Sequence, residues 1–274
     1  MVPLTLQPAH QAPTVVLDLE TTCLSVLDGA RIIEVAAIRI DDGQEQVFTT
    51  LVDPDAPVPD LGQAIHHIDD AMVAGQPRFP QVWPQLARMI DGAVLVAHNA
   101  PSDLAFLHAE CRRAGLSAPA PAVVVDTLEL ARTVFGLIHC SLPALAERIG
   151  VPHDHPHRAL PDAQATLGVY RAMLQALHAG QPPTVGDLIE LTESLARGGD
   201  GRKAITQALR TAWRSGRRVV IDYTSGAGGA LTTRREITIT GIRPPYVEAL
   251  CHLREEPRVF KLTRIRRVMD SEPS

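Results

Sequence analysis

The sequence predicts an α/β protein in which a mixed sheet flanked by helices is followed by a small, barrel-like β-domain. Three observations lead there. Apolar strands come first and then alternate with helical patterns, the order of a sheet wrapped by helices. The last part of the chain changes to strand-like runs at 217–224, 230–240, 246–253 and 258–265, separated by Gly or Pro clusters. The charge also changes sign between the two parts. Residues 1–200 hold 11 Lys and Arg against 24 Asp and Glu, a net −13, while residues 201–274 hold 15 against 7, a net +8, and together these give the −5 of the whole chain.

Residues 1–13 are rich in Pro, Gln and Ala and are expected to form a flexible N-terminus. A strand follows at 14–20. Read with period two, Val16, Asp18 and Glu20 share one of its faces and Val15, Leu17 and Leu19 the other. After a loop at 21–30, residues 31–40 form a second apolar strand, Asp41-Asp42-Gly43 a hairpin turn, and 46–52 a third strand, giving an antiparallel meander. The Pro-spaced segment 53–60 precedes helical patterns at 61–67, 69–74 and 79–91, where His66 and His67 read as ordinary polar residues at a helix end. Residues 92–97 are a short apolar run of the buried-strand kind, ended by His98-Asn99-Ala100.

Pro101 suits the first turn of a helix over 101–114, which places Asp103 in that turn. A strand at 122–126 is followed by helices at 126–135, 141–149 and 161–178. Asp126 reads as a helix N-cap, and Asp162 falls in the first turn of the last helix, after Pro161. Gly180-Gln181-Pro182-Pro183 and Arg197-Gly198-Gly199-Asp200-Gly201 are linker-like, and 184–215 is helical in two pieces. The expected organisation is therefore a first domain at 14–180, a linker with a helical segment at 181–203, and a basic domain at 204–274.

The residues that carry chemistry stand at the ends of these elements. Asp18 and Glu20 put like charges side by side on one strand face, which is costly unless a cation neutralises them. An edge strand with a solvated acidic side is the alternative on that stretch alone. Two further segments, however, each deliver an acid to the first turn of a helix, Asp103 and Asp162, with His157 five residues ahead of the latter. Two metal ions about 3.5–4 Å apart clamp the attacking and leaving oxygens of a phosphoryl displacement. Hard cations such as Mg²⁺ take oxygen ligands, one or two of them carboxylates per ion, so four acids suffice for a pair. A histidine titrating near ~6.5 is suited to take a proton. The run His153-Asp154-His155-Pro156-His157 offers a second, separate metal-site reading, weakened by its Pro-interrupted spacing.

Asp18-Leu19-Glu20-Thr21-Thr22, His98-Asn99-Ala100-Pro101-Ser102-Asp103 and His157-Arg158-Ala159-Leu160-Pro161-Asp162-Ala163 resemble, in that order, the three motifs of the DEDDh (DnaQ-like) 3′→5′ exonucleases. The resemblance covers about residues 14–178. It implies a ribonuclease H-like fold and release of nucleoside 5′-monophosphates from 3′ ends, with two divalent metal ions, Mg²⁺ or Mn²⁺. By the same resemblance Asp18 bridges both metals, Glu20 and Asp162 hold the one beside the nucleophilic water, Asp103 supports the second, and His157 is the general base. Thr21 and Leu24 lie by the terminal nucleotide, and His98 and Asn99 line the site. Cys23 stands where the family often has Gly, and Ser102 where an aromatic commonly precedes the Asp.

Tyr246-Val247-Glu248-Ala249-Leu250-Cys251 followed by Arg258-Val259-Phe260-Lys261-Leu262-Thr263-Arg264-Ile265 resembles a WYL domain, whose core is Sm/SH3-like. Pro245 occupies the place of the signature Trp and Val247 that of the Leu. The resemblance implies binding of nucleic acid or a nucleotide-like ligand at Arg258 and Arg264, and a solvated arginine surface is the plain alternative. An acidic body repels a polyanion, so a basic module would recruit the strand by displacing counterions. The expected partner is nucleic acid, single-stranded DNA 3′ ends before RNA, with a polymerase partner left open. An exoribonuclease and a non-catalytic, ligand-responsive regulator are the rival readings. No Lys or Arg precedes Arg31, no apolar run approaches the ~18 residues of a membrane span, and Cys23, Cys111, Cys140 and Cys251 are dispersed, so a cytoplasmic protein without membrane, zinc ribbon or disulfide scaffold is expected.

Overall fold

The computed structural model describes residues 3–133, 137, 140–178, 181–196, 199–225, 231–243, 246–253 and 255–271. Parts of several expectations lie outside these residues: 134–135 of the predicted helix, Gly180, Arg197 and Gly198 of the linker runs, Ala230 of a strand, and Pro245.

β1 (Thr14–Thr21), β2 (Ile32–Asp41) and β3 (Gln44–Leu51) form the antiparallel meander, and β4 (Val94–Ala97) and β5 (Val123–Asp126) join it in parallel, in the order β3-β2-β1-β4-β5. Asp42 and Gly43 both take positive φ at the β2–β3 turn, the conformation that lets a two-residue hairpin match strand twist. Around the sheet lie α1 (Asp60–His66), α2 (Asp70–Val73), α3 (Phe79–Ile90), α4 (Ala100–Ala114), α5 (Thr127–Thr133), α6 (Leu142–Ile149) and α7 (Ala159–Ala176).

Because β1 is apolar on both faces over its first half, it supports two cores. Val15 and Leu17 pack with Phe79, Trp83 and Leu86 of α3 and Leu107 of α4. Val16 packs on the other side with Leu145 of α6 and Ala163 and Tyr170 of α7. Asp18 and Glu20 continue the Val16 face, so they point toward the α7 side. The parallel pairing of β1 ends at Val16 opposite Val96, and β4 stops at Ala97. β1 thus runs on beyond its neighbour and opens a crevice outside the carboxyl ends of the parallel strands, where α/β sheets bind ligands.

The second domain has α9 (Gly199–Ser215) against a sheet of β6 (Arg218–Ser225), β7 (Leu231–Arg243), β8 (Tyr246–Cys251), β9 (Glu256–Lys261) and β10 (Ile265–Asp270), in the order β10-β6-β7-β8-β9. Leu209 and Ala212 of α9 bury against Ile221, Ile237, Val247 and Phe260. Among the described residues no helix is long and apolar enough to cross a membrane.

Four details differ from the expectations. The N-terminal segment is not loose: Ala9 and Ala12 are buried, and the backbone of Gln7 and Ala9 bonds to that of Val185 and Pro183. The helix expected within a linker, α8 (Val185–Ala196), buries Val185, Leu188 and Leu191 in the α7-side core, because these three recur on one helical face. α7 begins at Ala159 rather than at Pro161, since the Ala159 N–H finds a carboxylate acceptor at Glu34. A fifth strand, β10, pairs with β6 where none was expected. The two domains meet at Lys261, which bonds to Asp187 and, at 3.1 Å, Glu190 of α8.

Candidate active site

Asp18 and Glu20 at the open end of β1 and Asp162 in the first turn of α7 each offer one carboxylate oxygen, and these oxygens lie within 4.8 Å of one another. Among the described residues this is the one such group of three metal-capable side chains, so His153, His155 and His157 do not gather into a site of their own. Asp103, in the first turn of α4, stands outside the group of three and is 9% exposed, with the Leu19 backbone of β1 acting to favour its charged form.

Burial and mutual repulsion act together on these acids. Burial first, then the charges of Asp103 and Asp162, hold the Asp18 carboxyl well above its usual range. Glu20 is pushed up to about 8 by burial and then by Asp162, and Asp103 to about 8, chiefly by burial. Carboxylates so placed cannot all ionise near neutrality unless a cation enters among them. An all-oxygen donor set of clustered carboxylates suits a hard divalent ion, so the residues present fit the metal that the motifs imply.

A surrounding set of contacts fixes the cluster. His153 Nε2 donates to Asp162 Oδ1 at 2.7 Å, and the His157 backbone N–H donates to the same oxygen at 3.2 Å. That N–H reaches it because His157 takes φ 67°, a left-handed conformation a β-carbon disfavours. Arg158 grips Glu34 through both arms of its guanidinium, at 3.0 and 2.6 Å, and Ala159 N–H donates to Glu34 at 2.9 Å. Glu34 is buried opposite Glu20 on β2, so this fork ties the loop bearing His157 to the sheet. The exposed His157 lines a groove of about 610 Å³ with Ile65, His67, His155 and Arg158. His66 and His67 end α1, where buried His66 accepts the Ile68 N–H at its Nδ1.

The remaining predicted residues divide. Thr21 donates its hydroxyl to the Cys23 carbonyl at 2.9 Å, and Leu24 is 93% exposed beside it. Asn99 is exposed, at φ 75°, with its N–H on Asp126 Oδ1 at 3.0 Å. Asp126 also accepts the N–H of Leu128, and so caps α5 as expected. His98, expected to line the site, has both ring nitrogens engaged: Nε2–H donates to the Cys140 carbonyl at 2.6 Å and Nδ1 meets the Thr127 hydroxyl at 3.0 Å. It latches β4 to the segment before α6, because a half-buried imidazole must satisfy both nitrogens. Arg258 is held by Glu256 in the second domain, and Arg264 lies in the 3-10 turn after β9. Neither belongs to the acid cluster.

Glu34 and Arg158 were not read as site residues, and His153 only as part of a separate histidine metal site. Glu34 carried a signal, since an acid within the apolar run at 32–38 requires a cationic partner if buried. The contact of His153 with Asp162 carried none, because it depends on how the loop folds back.

A mixed sheet with a carboxylate cluster at the open end of its central strand is a nuclease architecture, of the ribonuclease H-like kind. Residues 15–170 match the family model described as Exonuclease, and residues 204–269 match the WYL domain. The chain is 39% identical over 188 residues to a DNA polymerase III subunit epsilon-like protein of Rhodobacter capsulatus, a match covering 66% of this chain and 26% of that one. It is 37% identical over 189 residues to the DNA polymerase III subunit epsilon of Treponema pallidum, covering 63% of this chain and 85% of that one. Among solved structures it resembles Exonuclease X in complex with 5′ overhanging duplex DNA, with a TM-score of 0.50, 28% identity, and coverage of 65% of this chain and 99% of that one. The chain thus spans about a quarter of the Rhodobacter relative's length. It belongs to the exonuclease family, and its C-terminal part is a WYL domain.

Proposed function

We propose that this protein is a metal-dependent 3′→5′ exonuclease that trims single-stranded DNA ends to nucleoside 5′-monophosphates, with residues 14–180 as the catalytic unit and 204–274 as the strand-holding unit. The observation that carries this reading is the convergence of Asp18, Glu20 and Asp162 to within 4.8 Å, with Asp103 beside Asp18 and carboxyl groups held above their usual range. Asp18, Glu20, Asp162 and Asp103 would hold two divalent ions, Mg²⁺ or Mn²⁺, which when bound neutralise the acids and polarise the scissile phosphodiester.

The chain's own residues do the rest. A ring nitrogen of His157 takes a proton from the attacking water. The water oxygen bonds to phosphorus as the bond from phosphorus to the 3′ oxygen breaks, and that oxygen takes a proton from solvent water to leave as the new 3′ hydroxyl. The Arg158–Glu34 fork and the His157 N–H on Asp162 fix the loop, so that base and acids keep their relative positions. Leu24 and Thr21 would border the terminal nucleotide. Residues 201–274, at +8, would offset the repulsion of the −13 body, with Arg258 and Arg264 reaching phosphates.

The test is hydrolysis of end-labelled single- and double-stranded DNA and RNA, with Mg²⁺, Mn²⁺ or chelator, resolved by product length. Stepwise shortening of DNA from the 3′ end, abolished by chelator, supports the reading. Shortening of RNA alone would move the substrate to RNA, and cleavage insensitive to chelator would remove the metal mechanism.

A further inference from the structure

Trp213 is the one exposed aromatic side chain among the described residues, 43% exposed near the end of α9. Tryptophan is seldom left open to water on a stable domain, because its large ring gains most from burial. The reason is not a failure of the helix to pack: Leu209 and Ala212 of α9 are buried in the second core, and Trp213 sits at the flank of that face. Arg210 stands three residues before it, within reach on the same helical surface, and Arg214 follows it. Among the described residues neither arginine has a carboxylate partner. From residue 201 to 221 the sequence holds six basic residues and no acid.

We infer that Trp213, with Arg210 and Arg214, is a stacking platform for single-stranded nucleic acid, separate from the acid cluster and from the Arg258 and Arg264 positions. A flat ring among unpaired guanidinium groups is what an unpaired base and its phosphates require: the base stacks on the indole face and the phosphates meet the arginines, without regard to sequence. Base pairs stacked within a duplex hide their faces, so the platform favours unpaired strands. The inference rests on the proposed nucleic-acid substrate, and it gives the basic domain a definite contact rather than a diffuse charge.

Trp213 also provides the measurement. The chain has two tryptophans, and Trp83 is 5% exposed in the first core, so quenching by an added strand reports on Trp213. Oligothymidylate is titrated into the full chain with chelator present, which prevents hydrolysis. Quenching is expected, with affinity falling about 5- to 150-fold in Trp213→Ala and less in Trp213→Phe, which keeps a ring. Replacing Arg210 and Arg214 by Ala is expected to shallow the salt dependence by about 0.7 per lost phosphate contact. Hydrolysis of a p-nitrophenyl ester of thymidine 5′-monophosphate, too small to span both domains, is expected to be equal in wild type and Trp213→Ala. Absence of quenching, or unchanged affinity in Trp213→Ala, overturns the platform. Quenching without ester hydrolysis by the wild type supports the platform and removes the exonuclease reading instead.

Discussion

Residues 1–200 carry a net −13 and draw Asp18, Glu20 and Asp162 together at one half-buried point, whereas residues 201–274 carry +8 and spread their arginines over a surface. The two arrangements suit ligands of opposite charge at different range. Clustered, desolvated carboxylates act over a few ångströms on ions that must be positioned closely, while dispersed cations in high dielectric attract a polyanion loosely and over a Debye length. Substitutions should therefore behave differently in the two halves, with all-or-none effects in the first and graded, salt-sensitive effects in the second.

The sharpest break of that contrast is Asp18→Ala or Asp162→Ala. Each removes one of the three clustered carboxylates, and nucleotide release should be lost outright; full activity of the Asp18 variant on labelled DNA would discard the assignment. His157→Ala should slow release by about 10²–10⁴-fold, the usual contribution of a general base, and a rate within a few-fold of wild type would transfer that role elsewhere. His153→Phe keeps the ring's bulk but removes the donor to Asp162. Calorimetric Mn²⁺ titration should show affinity about 10–100-fold weaker, and equal affinity would make the contact incidental.

Next comes pH. Glu20 holds its proton to about 8 in the folded chain but gives it up near 4.5 when unfolded. Its stabilising contribution is therefore complete below about 4.5 and drains away as pH rises to about 8. Metal-free protein should show a falling urea midpoint across that window. Saturating Mg²⁺ should cancel the fall, adding about 2.7 kcal/mol at a hundred times its dissociation constant. A midpoint that rises with pH without metal would contradict the clustered-acid account. The smallest effect is expected from Arg258→Ala, since its exposed pair with Glu256 is worth about 0–1 kcal/mol. A larger loss in melting free energy would show the second domain to be built more like the first.

Much of this was legible in the sequence, and the limits have physical causes. The period-two placement of Asp18 and Glu20, Asp103 after Pro101, and the Asp41-Asp42-Gly43 turn are local, so spacing alone reveals them. The Arg158–Glu34 fork joins residues 124 positions apart, and the His153 contact depends on a loop's path, so neither has a local signature. The N-terminal segment looked loose because Pro and Gln resist packing, yet Ala9 and Ala12 find cover through pairing with residues 183–185. β10 escaped because Arg266 and Arg267 interrupt its alternation, and its pairing with β6 carries a register shift at that point. His98 lay in the expected motif, but its partners Thr127 and Cys140 come from elsewhere in the chain.

The most direct measurement is anomalous diffraction from crystals grown with Mn²⁺. Strong anomalous density is expected between the carboxylates of Asp18, Glu20 and Asp162, with a second peak on the Asp103 side of Asp18. Density confined to other acids, or none at this crevice at saturating Mn²⁺, would contradict the account.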